Sequence, residues 1–169
     1  MKRLWLLRHA KSSWDEPGLP DRLRPLAPRG RKTTKKLTRY FEANPIAPQL
    51  VLCSPAVRAT ETWEGVKPGL PAETRVDLDD ALYGADADDL LERLREVPAE
   101  IDSVLVIGHN PGLGDLAQQL AGAGDPGARD QLAAKFPTGA LARLGVPTEW
   151  HDLRWGEATL DIYVVPRDL

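Results

Sequence analysis

The chain has 169 residues, 42% hydrophobic and 28% charged, with a net charge of −3. That is ordinary for a globular protein and leaves room for a core that needs no metal or disulfide staple. Its only cysteine, Cys53, excludes an intramolecular disulfide, the mildly acidic balance does not favour nucleic acid, and no apolar run approaches the roughly 18 residues of a membrane span.

In chain order, Leu4–Leu7 is a short, nearly continuous apolar run, the pattern of a strand buried on both faces of a parallel sheet. It is too short for the core of a secretion signal, so a cytoplasmic location is expected, with one domain over residues 1–169. Arg29 to Glu42 reads as a helix, although Gly30 and several threonines are poor helix formers. It overlaps a basic run, Arg22, Arg24, Arg29, Arg31, Lys32, Lys35, Lys36 and Arg39, with no acid among them. Such a run is either a solvated face or a basic rim that attracts anionic substrates.

Leu50–Cys53 is a second buried strand, and Ala56, Ala59, Trp63 and Val66 mark one face of the helix after it. Acids dominate from Glu73 to Asp102. Within that stretch Asp86, with Asp89 three residues on, reads as the N-cap of a helix striped by Ala87, Leu90, Leu91, Leu94 and Val97. Val104–Ile107 is the third buried strand, followed by a stripe of Leu113, Leu116, Ala117, Leu120 and Ala121. Gly122 to Gly127 reads as a flexible loop. Ala140 to Val146 is strand-like, and Leu160, Ile162 and Val164 alternate with Asp161, Tyr163 and Val165; these are expected to be less buried strands, antiparallel at a sheet edge. Strands alternating with helices predict a three-layer α/β/α sandwich with a mostly parallel central sheet.

In such a sheet ligands bind beyond the carboxyl ends of the strands. The three buried strands end in Leu7-Arg8-His9-Ala10-Lys11-Ser12, in Ser54-Pro55-Ala56-Val57-Arg58, and in Gly108-His109-Asn110-Pro111-Gly112. Two of the three histidines are thus delivered to one edge; the third, His151, lies in a polar stretch and reads as a surface residue. Each piece alone has an ordinary structural explanation. Together they suit phosphoryl transfer, which needs an in-line nucleophile and positive donors around three equatorial oxygens. A neutral imidazole is a competent nucleophile near pH 7, and arginine forks grip phosphate oxygens.

These residues resemble the signatures of the histidine phosphatase superfamily, the phosphoglycerate mutase-like fold. Leu7-Arg8-His9 is similar to its first motif, Ser54-Pro55-x-x-Arg58-Ala59-x-x-Thr62 to its second and Val106-Ile107-Gly108-His109 to its third. The short length, Arg24-Pro25-Leu26-Ala27-Pro28-Arg29-Gly30 and Phe136-Pro137-Thr138-Gly139-Ala140 resemble the small phosphohistidine phosphatases of the SixA type. The resemblance implies that His9 accepts the phosphoryl group in a phosphatase needing neither metal nor cofactor. It implies that Arg8, Arg58 and His109 form the phosphate pocket, with Arg24 as a further contact to phosphate or to the bound protein; Lys11, where many members carry a different sequence, is a candidate contact that adds charge to the site mouth. Larger members use a mid-chain carboxylate as general acid; Asp79, Asp80 and Asp86 are the candidates here. The implied partner is a phosphorylated protein or a small phosphorylated substrate, with inorganic phosphate as product and no nucleic acid or membrane. An imidazole leaving group needs an acid less than an ester does, so the unassigned acid favours phosphohistidine. The alternatives are a small-molecule phosphomonoesterase of the same superfamily and a phosphate-binding module without turnover.

Overall fold

A computed structural model describes residues 1–169. Its elements are β1 Lys2–Arg8, α1 Pro28–Ala43, β2 Leu50–Cys53, α2 Val57–Val66, β3 Arg75–Leu78, α3 Ala87–Arg95, β4 Ser103–Gly108, α4 Gly112–Leu120, β5 Ala121–Gly124, α5 Pro126–Ala134, β6 Leu141–Val146 and β7 Ala158–Val164. The strands form one seven-stranded sheet in the order β3-β2-β4-β1-β6-β7-β5. β3, β2, β4 and β1 are mutually parallel, β6 is antiparallel to both neighbours, and β5 pairs parallel with β7. The sheet is therefore mostly parallel, as expected.

The apolar runs are continuous because alternate residues serve two cores. Leu4, Leu6, Leu50, Leu52, Val104 and Val106 pack with Leu90, Leu94, Leu113 and Leu116 of α3 and α4. Trp5, Leu7, Val51, Cys53, Leu105 and Ile107 face the opposite side, against Leu37 and Phe41 of α1 and Trp63 and Val66 of α2. Each such side chain contributes roughly 1.5–3 kcal/mol by leaving water, so a polar residue at any of these positions would cost more than a surface change elsewhere. Asp86 and Asp89 form the expected box at the start of α3, each side chain accepting the other's backbone N–H, at 2.8 and 3.1 Å. Gly30 has a positive reason to stand in α1: a Cβ there would lie 2.1 Å from the Lys11 carbonyl oxygen. No helix is long and apolar enough to cross a membrane.

The structure departs from the sequence reading in three places. Gly122 to Gly127 is not a loop, since β5 runs to Gly124 and α5 starts at Pro126, capped by Asp125. Side-chain patterning could not reveal this strand, because Ala-Gly-Ala-Gly is chosen for close approach: a Cβ on Gly122 would meet the Gly156 carbonyl at 1.8 Å. β3 was not anticipated, because it is an outer strand whose residues are mostly exposed. Of the two C-terminal strands only β6 runs against the parallel set, and the sheet edge belongs to β5 rather than β7.

Candidate active site

Parallel pairing brings the carboxyl ends of β1, β2 and β4 to one edge, with Arg8 opposite Gly108 and Cys53 opposite Ile107. The ladder continues one residue past the strands: His9 N–H donates to the Gly108 carbonyl at 3.1 Å, and Ser54 N–H to Ile107 at 3.0 Å. The motifs also bind one another. Thr62 Oγ1 accepts the Ala10 N–H at 3.0 Å and donates to the Arg58 carbonyl at 2.7 Å. Gly139, at φ +77°, donates its N–H to the Arg8 and His9 carbonyls. The strand end that carries His9 is thus held on both sides.

His9 is buried, and its Nδ1 lies 2.7 Å from the Ala10 carbonyl oxygen. A carbonyl can only accept, so Nδ1 carries the proton and Nε2 keeps its lone pair. Burial lowers the imidazole pKa to about 3, and His109, Arg58 and Arg8 push the same way against the Ala10 hydrogen bond. The ring is therefore neutral at physiological pH, with a free nitrogen nucleophile.

His109 stands beside it, ring centroids 5.2 Å apart. Its Nε2 lies 2.7 Å from Ser54 Oγ, which itself accepts the Ala56 N–H. The Ser54 hydroxyl is then placed to donate to Nε2, which puts the His109 proton on Nδ1. Burial, followed by Arg58, lowers this imidazole to about 4, opposed by Asp21. Nδ1 is buried with no hydrogen-bond partner, and so are Arg8 Nε and Arg58 Nε. Burying an unpaired donor costs about 1–3 kcal/mol. Three such nitrogens around one neutral imidazole are placed to donate to an oxyanion with several acceptor oxygens. Burial, then the Arg58 charge, lowers the Arg8 pKa, a measure of how closely the two cations are held.

One terminal nitrogen of Arg8 and both of Arg58 are anchored. Arg8 Nη1 donates to the Phe136 carbonyl at 3.1 Å; Asn110 Nδ2 shares that acceptor. Arg58 Nη1 donates to the Asp21 carbonyl at 2.7 Å, and Nη2 to Asp21 Oδ2 at 3.0 Å. Asp21 also accepts from Tyr83 Oη at 2.6 Å and from Arg24 Nε at 3.1 Å. The Tyr83 hydroxyl, then the two arginines, hold its carboxyl well below the usual range despite the opposing effect of burial. The Tyr83 ring meets His109 edge-on at 5.7 Å. Sequence reading missed Asp21 and Tyr83 as site residues, and the spacing before Arg24 carries no signal for the first.

The other expected residues are placed as follows. Arg24 is buried at the rim, donating to Ser12 Oγ and the Ser13 carbonyl, with its guanidinium 3.5 Å from the Trp14 ring centroid. Lys11 has an exposed side chain. Asp79 is held by Arg93 at 2.5 Å and caps a short turn through the Ala81 N–H. Burial opposes this, yet those two bonds keep its pKa lowered. Asp80 is exposed and pairs with Arg22 at 2.8 Å, and Asp86 is committed to its helix cap. Most of the basic run is a solvated face, with Arg29, Arg31, Lys32, Lys35, Lys36 and Arg39 all exposed. No three His, Cys, Asp or Glu side chains are gathered to hold a metal ion.

Comparison with known proteins agrees with this geometry. The family model of the histidine phosphatase superfamily (branch 1) matches residues 4–114, a span that includes Arg8, His9, Arg58 and His109. An uncharacterized protein of Mycobacterium leprae is 34% identical over 166 residues, covering 95% of this chain and all of the other. A protein provisionally named phosphohistidine phosphatase SixA, from Nakamurella multipartitia, superposes with a TM-score of 0.83 at 30% identity, over 98% of this chain and 96% of that one. A second such protein, from Agrobacterium tumefaciens, gives 0.81 at 26% identity over 98% of both chains. By motif, by sequence and by fold, this chain belongs to the histidine phosphatase superfamily and is a phosphatase of its SixA-type branch.

Proposed function

We propose that this phosphatase takes its phosphoryl group from phosphohistidine on a protein or peptide, through a covalent intermediate on His9 and without a metal. The observation that carries the reading is the set of buried, unpaired donors, Arg8 Nε, Arg58 Nε and His109 Nδ1, beside a neutral His9 whose Nε2 lone pair is free.

Those donors bind the oxygens of the substrate phosphoryl group. Their hydrogen bonds strengthen as charge builds on the oxygens in the transition state. His9 Nε2 attacks phosphorus in line, and the bond from phosphorus to the substrate nitrogen breaks as the new P–N bond forms. The substrate imidazole, protonated on its other nitrogen, leaves as a neutral ring. Water then attacks the phosphorus of phospho-His9. The P–N bond to Nε2 breaks, the water's proton passes to solvent, and inorganic phosphate is released from a regenerated neutral His9. Cationic donors do here the charge stabilisation that a metal does elsewhere.

Two observations favour phosphohistidine over an ester. An alkoxide leaving group needs an acid, and Asp79, Asp80 and Asp86 are each engaged, with Arg93, with Arg22 and with a helix cap. The proteins that this chain resembles at 30% and 26% identity carry the SixA name. The deciding measurement is kcat/KM for a phosphohistidine peptide against an alkyl ester such as glycerol phosphate. The peptide should be preferred, in protein dialysed against a chelator as much as before dialysis. A higher value for the ester would assign the enzyme to small phosphomonoesters, and activity restored only by added Mg²⁺ or Zn²⁺ would reverse the metal-free reading.

A further inference from the structure

We propose that Asp21 is a positioning residue for phosphate recognition: it grips the terminal edge of Arg58 so that the Nε edge faces the phosphoryl group. The proposal rests on the reading of Arg58 as a phosphate donor.

A guanidinium has two faces for bidentate contact, one between its terminal nitrogens and one along Nε. Asp21 takes the terminal face completely, its backbone carbonyl accepting from Nη1 at 2.7 Å and its Oδ2 from Nη2 at 3.0 Å. Of the three N–H groups that remain, the one on Nε is buried and unpaired. Arg8 shares part of the arrangement, with Nη1 alone on the Phe136 carbonyl and Nε unpaired. The shared pattern is an anchored terminus and an open Nε edge. A carboxylate that merely occupied the phosphate position would instead leave the terminal face shared or free.

The two anchors differ in kind. Phe136 offers a neutral carbonyl, whereas Asp21 brings a full charge and is itself fixed on further sides. Tyr83 Oη donates to Oδ2 and Arg24 Nε to Oδ1, at 2.6 and 3.1 Å. Its charge trims the cationic excess of Arg8, Arg24 and Arg58 without neutralising it. Through Tyr83 it also fixes the ring that stands edge-on to His109. Asp21 lies on a short exposed turn, Asp21–Leu23, that buries no residue, so the core does not depend on it.

A double-mutant cycle tests this with Asp21→Ala, Arg58→Ala and both together. Affinity for inorganic phosphate is read by calorimetry, and kcat and KM are read on a phosphohistidine peptide. Asp21→Ala should weaken phosphate binding and kcat by about ten- to a hundredfold, the loss typical when the group orienting a ligand-binding side chain is removed, with KM changing less. In the Arg58→Ala background the same change should cost less than about twofold, because Asp21 then has nothing to position. Asp21→Asn, which keeps the shape and one acceptor, should recover part of the loss and gives the answer if the alanine variant folds poorly. If Arg58→Ala binds phosphate normally, the phosphate role of Arg58 fails and this proposal with it. If Arg58→Ala is impaired while both Asp21 variants are normal, the positioning role alone is overturned. Tighter phosphate binding in Asp21→Ala would mark Asp21 as a competitor of phosphate, and an equal loss in both backgrounds would mean it acts elsewhere; either result overturns the proposal.

Discussion

The floor of the site and its rim are built by different parts of the chain. The floor comes from the carboxyl ends of β1 and β4, which supply Arg8, His9 and His109 at heights fixed by parallel pairing, and from the first turn of α2 after β2, which supplies Arg58. The rim, Asp21, Arg24, Tyr83, Arg22 and Asp80, comes from irregular segments between elements, and ion pairs and hydrogen bonds hold it rather than a ladder. The floor is largely buried and its imidazoles are held neutral; most of the rim is exposed and charged. A regular scaffold can fix donors within the small tolerance that transition-state stabilisation demands, whereas exposed ion pairs contribute only about 0–1 kcal/mol each. Chemistry is therefore expected to be far more sensitive to the floor than to the rim, except where a rim group acts on a floor group.

The largest effect tests His9, the proposed nucleophile. His9→Ala should lower turnover by roughly 10⁵ or more, the scale on which loss of a covalent nucleophile is felt. The fold should survive, because His9 lies past the strand end and its backbone N–H bond to Gly108 remains. Rapid-quench labelling of the wild type should trap an acid-labile phosphate that the variant lacks. Retained activity in the variant would remove His9 from the mechanism.

Next come the donors. Arg8→Ala or Arg58→Ala should each cost about 10²–10³ in kcat, as removal of one transition-state donor does elsewhere. Arg58→Lys should rescue only partly, since an ammonium cannot both hold Asp21 and present an Nε edge. Steady-state kinetics on the three variants decides it, and full activity in Arg58→Lys would show that the fork geometry is irrelevant.

This division also explains what could be read from the sequence. Leu4–Leu7, Leu50–Cys53 and Val104–Ile107 announced the parallel strands because both faces of each are buried. Once the strands are placed, the positions of His9, Arg58 and His109 follow. Nothing comparable announces Asp21, whose contacts with Arg58 and Tyr83 bridge 37 and 62 positions of the chain. β5 was missed for a related reason: its Ala-Gly-Ala-Gly serves backbone approach, and periodicity reads only side chains.

A smaller, pH-dependent effect sharpens the contrast. His9 and His109 sit at about 3 and about 4 in the folded protein, against 6.5 for the unfolded residue. The unfolded chain therefore binds more protons between these values. The stability that the pair contributes is complete above pH 6.5 and is lost as pH falls toward 4 and then 3. Thermal melts from pH 7.5 to 4.5 should show Tm falling with pH in the wild type and a shallower slope in His9→Asn and His109→Asn. Over the same range kcat/KM should hold its plateau, because Nε2 of His9 stays unprotonated. An activity that fell with a midpoint near 6.5 would mean that the imidazoles are not held neutral.

The smallest effects are expected at Asp79, Asp80 and Asp86, and they bear on the substrate. Asp79→Asn loses its charge toward Arg93 but can still accept the Ala81 N–H, and Asp86→Asn weakens a capping box. Each should cost about 1 kcal/mol of stability or less. Asp80→Asn removes only an exposed pair with Arg22 and should change folding stability by less than about 0.5 kcal/mol. If the leaving group is an imidazole that is already protonated, none of the three has a proton to give. Turnover of a phosphohistidine peptide should then stay within about twofold of the wild type in all three variants, since a positioned general acid is worth about 10²–10⁴ when it is used. The same variants assayed on an alkyl ester such as glycerol phosphate, whose alkoxide must be protonated as it leaves, give the control. A sharp loss there that spared phosphohistidine would identify an acid that only esters need. A loss of a hundredfold on both substrates would show that the carboxylate concerned belongs to the chemical step and that the floor has been drawn too narrowly.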